Sequence, residues 1–119
     1  MSEIDVGAEF MGDWDLVEVR GYTLEELRAV DGVAGFRFFG DEKGGAELWC
    51  ADVSCTLDVA FTETPEGLPA IQFTESFAEG APRVRGRGAI VRDGWIKGSL
   101  TIRGGRARAF VAKRMRGRE

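Results

Sequence analysis

A chain of 119 residues with 44% hydrophobic and 30% charged residues and a mean hydropathy of -0.16 has the make-up of one globular domain, not of a disordered polymer. No apolar run nears the roughly 18–20 residues that cross a bilayer, and the opening Met1-Ser2-Glu3-Ile4-Asp5 is acidic where an export signal is basic and then apolar. The formal net charge is -4 with no histidine at all, which removes the commonest general base and metal ligand, and with them any Ser-His-Asp or Cys-His site.

In chain order, residues 1–11 read as a loose lead-in. A strand is expected over 14–20, ending at Gly21. A short helix follows: Thr23 is placed to cap, Glu26 stands three residues on as its reciprocal partner, and Leu24, Leu27 and Val30 share a face before Asp31-Gly32. From Val33 the chain reads as strands over 33–39, 46–52, 54–63, 70–79, 83–92, 95–103 and 106–115. The breaks are Gly40 to Gly45, the Pro- and Gly-containing loop 64–69, Glu79-Gly80-Ala81-Pro82, and two tight hinges at Asp93-Gly94 and Gly104-Gly105 suited to type I′ turns. Eight short antiparallel strands joined in succession leave two open edges and an uncovered inner face, and one two-turn helix cannot cover that face. Closure removes both problems, so the expected fold is all-β: an eight-stranded up-and-down barrel spanning 1–119 as one domain. Glycines inside the expected strands, at Gly35, Gly86, Gly88 and Gly98, fit the bends of a small barrel.

No GxGxxG opens a helix after a strand, and no GxxxxGK[ST] occurs. Cys50 and Cys55 with carboxylates alone would make an unusual zinc site, so no metal and no cofactor are expected. The pair either faces across a hairpin turned at 51–54 or, on one strand, points to opposite faces; the absence of an export signal favours reduced thiols and a cytoplasmic location.

Gly12-Asp13-Trp14 at the head of the first strand, followed by an all-β meander, resembles the calycin group of lipocalins, avidins and fatty-acid-binding proteins. That resemblance implies a tryptophan closing one barrel end, with a basic side chain of the last strand packed across it. Arg114, in Phe110-Val111-Ala112-Lys113-Arg114-Met115, is the candidate for that cation, with Trp14 as the ring. It also implies a barrel able to hold a small apolar molecule. The remaining lipocalin motifs and the polar biotin set of avidins are absent.

The expected function is therefore non-enzymatic binding of a small hydrophobic or amphipathic molecule inside the barrel. Phe36, Phe38, Leu57, Phe61, Phe73 and Phe77 would line it, with Glu75 and Arg108 as polar anchors. Glu75 stands two residues from both Phe73 and Phe77, so strict alternation turns it inward; a carboxylate there needs a cation, supplied by Arg108 or Arg114, or a raised pKa. A bulge or a rim salt bridge would remove the need for either. Eight strands leave an interior only wide enough for side chains or one small ligand, so the rings either line a pocket or fill it. An alternative is a homodimeric module using the outer wall; a third is a barrel cyclase or isomerase with Glu75 as base. No catalytic residue is assigned.

Charge is divided along the chain. Residues 1–80 carry 18 acidic and 4 basic residues, a balance of -14, and residues 81–119 carry 12 basic and 2 acidic, a balance of +10. Either the halves neutralise each other where strands pair, or two copies dock, or the basic half meets an acidic partner. A pI of about 5.0 and few aromatics beside Trp95 and Phe110 argue against nucleic acid. An outward Trp49 or Trp95 would mark either a contact surface or rim packing.

Overall fold

The computed structural model describes residues 9–29, 32–39, 45–77 and 79–115. Among them eight strands run β1 (Gly12–Val19), β2 (Gly35–Phe38), β3 (Ala46–Cys50), β4 (Val53–Glu63), β5 (Pro69–Glu75), β6 (Val84–Arg92), β7 (Trp95–Ile102) and β8 (Arg108–Arg114), with α1 (Leu24–Leu27) after the first. Every neighbour in sequence is an antiparallel neighbour in space, and β8 pairs back onto β1 through Trp14↔Arg114, Asp15↔Lys113 and Leu16↔Ala112. The sheet is a closed up-and-down barrel, as the strand pattern requires. Residues 1–8, Val30, Asp31, 40–44, Ala78 and 116–119 lie outside the described residues, and with them the expected turn after β2 and most of the expected helix stop.

Alternation places the apolar side chains inside. Leu16, Phe36, Phe38, Leu48, Leu57, Ile71, Phe73, Leu100 and Phe110 are buried, and no polar or charged residue among those described is buried with them. The rings make one continuous cluster: Phe36 lies 5.5 Å from Phe38, 5.4 Å from Phe73 and 5.7 Å from Phe110, centroid to centroid. Glycine makes room for them. Gly86 is paired with Phe73 across β5–β6, and a methyl added there would come within 2.7 Å of the Phe73 ring. Gly88 faces Gly98 across β6–β7, where a methyl on Gly98 would overlap the Arg87 carbonyl.

Both ends are plugged. The expected lead-in is not loose at its close: Glu9 and Phe10 are helical, and Phe10 is 0% exposed, its ring 5.6 Å from Phe38 and 5.9 Å from Phe61. A single phenylalanine before a strand carries no periodicity, so its burial is invisible locally. At the other end α1 has the expected capping box, Glu26 N–H to Thr23 Oγ1 at 3.1 Å and Thr23 N–H to Glu26 Oε1 at 2.8 Å. Leu27 is fully buried and its carbonyl accepts the Ala51 N–H at 2.8 Å, tying the helix to the β3–β4 turn.

Turn chemistry departs from expectation in detail. The β6–β7 hinge has positive φ at Gly94 alone (83°), because a register shift between Ile90 and Arg92 replaces the symmetric turn with a bulged one. The β7–β8 hinge sits one residue early, with positive φ at Arg103 and Gly104. At the β5 end, Phe77 adopts φ 57° and the strand stops at Glu75, not near 79.

Candidate functional site

Trp14 and Arg114 meet as the resemblance implies. The Arg114 guanidinium lies 4.3 Å from the Trp14 ring centroid and donates to the carbonyls of Met11, at 2.9 Å, and Glu9. Trp14 Nε1–H donates to the Phe10 carbonyl at 2.8 Å. The last strand thus clamps the helical lead-in over the barrel end.

The expected lining divides. Phe36, Phe38, Leu57 and Phe73 are buried inside and Phe61 is partly buried under Phe10. Phe77 does not belong with them: at 96% exposure it points to solvent, because the left-handed turn at its own position ends the alternation that had placed it inward. Arg108 is no interior anchor. Its guanidinium lies 5.4 Å from the Tyr22 ring and donates to the Arg20 carbonyl at 3.2 Å, closing over Gly21.

Glu75 does turn inward, opposite Leu57, but at the rim, and its partner is Arg83, not Arg108 or Arg114. The carboxylate takes the Arg83 backbone N–H at 2.7 Å, Nε–H at 2.9 Å and an Nη2–H at 2.6 Å, so both oxygens are engaged. Its side chain is 10% exposed against 43% for Arg83. The Arg83 bonds hold the Glu75 carboxyl below its ordinary range and raise the Arg83 guanidinium in turn. A carboxylate so held is a weak base, which disfavours the role of proton acceptor.

The two-residue turn Ala51–Asp52 puts both cysteines on the inner face, yet not opposite one another: Cys50 pairs with Val53 and Cys55 with Leu48. Both are free thiols, and burial pushes Cys50 up to about 11. Among the described residues no group of three Cys, Asp or Glu side chains is placed to hold a metal ion, and no helix is long and apolar enough to cross a membrane.

The outer wall carries the feature that composition averages away. Outward positions of β1–β4 present Asp13, Asp15, Glu18, Glu47 and Asp58, with Arg37 bound to Asp13 at 2.9 Å. Those of β6–β8 present Arg85, Arg87, Lys97 and Lys113, all exposed. In a ring of eight, β2 and β3 stand opposite β6 and β7, so Glu47 faces away from the basic strands, while β1 sets Asp15 beside Lys113 and Glu18 beside Val111 of β8. Two ion pairs join the acidic and basic stretches of sequence, Glu75–Arg83 and Asp52–Arg103 at 3.2 Å, and both sit near the strand ends. Arg85, Arg87 and Lys97 form no ion pair among the described residues. They lie along an open trough of about 930 Å³ across β4–β7, continued by one of about 600 Å³ toward Lys97, with Gln72, Thr74, Ser99 and Thr101 as polar neighbours.

Trp49 and Trp95 both face outward, half-buried. Arg37 covers the first at 5.8 Å from the ring centroid; Arg92 and Lys113 each lie 5.5 Å from the second. Arg83, Arg85 and Arg87 alternate in sequence, and alternation alone does not tell which of them is engaged. Only the β5–β6 connection, which folds Arg83 back onto Glu75, separates it from its two neighbours. Compared with known proteins, the chain matches no family model and no curated protein sequence.

Proposed function

We propose that this chain is a non-catalytic binding module of calycin-like build whose working face is the basic outer wall of β5–β8. The calycin relation is supported by Gly12 opening β1, by the Arg114 guanidinium over Trp14, and by the plugged end beneath them. The functional reading rests on one observation: Arg85, Arg87 and Lys97 stand exposed in a trough with no carboxylate bound to them among the described residues. Guanidinium groups left free in a concave surface are built to meet an anionic partner.

The interior-ligand reading draws less support. The rings expected to receive a guest contact one another at 5.4–5.7 Å, and the expected anchors Glu75 and Arg108 are taken by Arg83 and by the Arg20 carbonyl. A two-fold dimer driven by charge draws little either, since the basic face of β5–β8 would meet its own like charges across a two-fold axis. Cation-exchange chromatography tests the outer-wall reading. Despite a net charge of -4, the protein should be retained at neutral pH and low salt, and the double variant Arg85→Glu/Arg87→Glu should pass through. Passage of the unaltered protein, or equal retention of both, overturns it.

A further inference from the structure

The register of β5–β8 arranges the free cations with a regularity that composition does not show. Four successive outward rows cross the wall: Thr74–Arg85–Thr101, Gln72–Arg87–Ser99–Ala109, Ala70–Ala89–Lys97–Val111, and Arg92–Trp95–Lys113. Each of the first three holds one cation, and the fourth holds two around a tryptophan ring, each 5.5 Å from its centroid. Rows on one face of a sheet are two residues apart, about 6.8 Å, so the line of charge runs roughly 20 Å. Within β5–β8 no acidic residue stands in these rows; Asp58, engaged by the Ser76 hydroxyl at 2.8 Å, flanks the first from β4, and Glu18 and Asp15 flank the third and fourth from β1. The side chains between the cations are short, which lets a chain lie close to the wall.

We infer that this stripe, resting on the binding-face reading above, receives a single-stranded nucleic acid through its phosphodiester backbone. A polynucleotide carries one charge in every unit and asks for a line of cations with a ring at hand for a base, and Trp95 supplies that ring in place of one of its covering cations. Arginine forks at Arg85 and Arg87 match phosphate oxygens. An acidic peptide fits less well: extended peptides gain affinity by bonding their main chain to an open sheet edge, and this barrel is closed. The low pI is no obstacle, because no outward position of strands β5–β8 carries a carboxylate.

The test is fluorescence anisotropy with labelled oligothymidylate and oligouridylate of about 12 nucleotides, within the span one small barrel covers. Four phosphate contacts give a logarithmic salt slope near -2.8, so raising salt from about 50 to about 200 mM should weaken binding roughly 50-fold. Arg85→Glu/Arg87→Glu, both at exposed positions, should lose binding at the lower salt while circular dichroism stays unchanged, and Glu25→Gln, exposed on α1 and outside both troughs, should bind as the unaltered protein does. Binding that survives the double substitution overturns the inference, as does a salt slope near zero. If polyglutamate binds in an Arg87-dependent way and the oligonucleotides do not, the binding face stands and this inference fails. If neither binds, both fail.

Discussion

Glu75 illustrates how far one side chain is readable. Alternation with Phe73 turned it toward the inner face, and the structure realises the alternative of a rim salt bridge, so no cation is needed among the rings. The partner in that bridge was not legible, because it depends on how the β5–β6 connection folds back. The left-handed Phe77 turns the chain, and Arg83, eight residues after Glu75, binds it with backbone and guanidinium together. The pair has a pH signature. Glu75 is held below its ordinary 4.5, so its contribution is present above that value and is lost as the pH falls through the lowered folded value. Glu75→Gln should therefore lower the denaturant midpoint most at neutral pH, with the gap to the unaltered protein narrowing below about pH 4. A gap independent of pH would mean that shape, not charge, holds the rim.

At the scale of elements, β6 and β7 depend on glycine more than on any large side chain. Gly88 and Gly98 face each other, and Gly86 lies beneath the Phe73 ring, so the two strands approach closely while the cluster fills the space that side chains would have taken. Gly98→Ala should cost about 3 kcal/mol, since the methyl meets backbone that cannot rotate away. Urea denaturation measures it, and a loss within the error of the method would show that the strands separate easily. Strand number, order and the α1 capping box were legible because hydrophobic period and turn residues report them directly. The ends were less so. β5 stops four residues early, and the second hinge moved from Gly104-Gly105 to Arg103-Gly104, since which residue takes positive φ is decided by pairing register across the whole hairpin.

For the whole molecule, the decisive contact is one the local pattern could not show. Phe10 lies in a segment without periodicity, yet it is fully buried against Phe38 and Phe61 and held down by Arg114 from the far end of the chain. Phe10→Ala should remove about 3–5 kcal/mol, read from thermal and denaturant unfolding. A change below about 1 kcal/mol would mean that the ring lies on the barrel without sealing it. Charge follows the same logic. The halves of the sequence do differ in sign, and the ring sets β2–β3 opposite β6–β7 but β1 beside β8, where Asp15 pairs with Lys113; the two ion pairs between the halves sit at strand ends. The net value of -4 thus averages over a mostly acidic face on β1–β4 and a basic one on β6–β8.

The pairing of β1 with β8 also governs when this protein can take shape. Trp14 waits for Arg114, and β1 has no neighbour on that side until β8 has been made. While the ribosome is still at work, Phe36, Phe38 and Phe73 belong to an unclosed ribbon. Closure of the barrel is thereby deferred until β8 has emerged from the ribosome, and until then the nascent strands depend on being shielded from their neighbours.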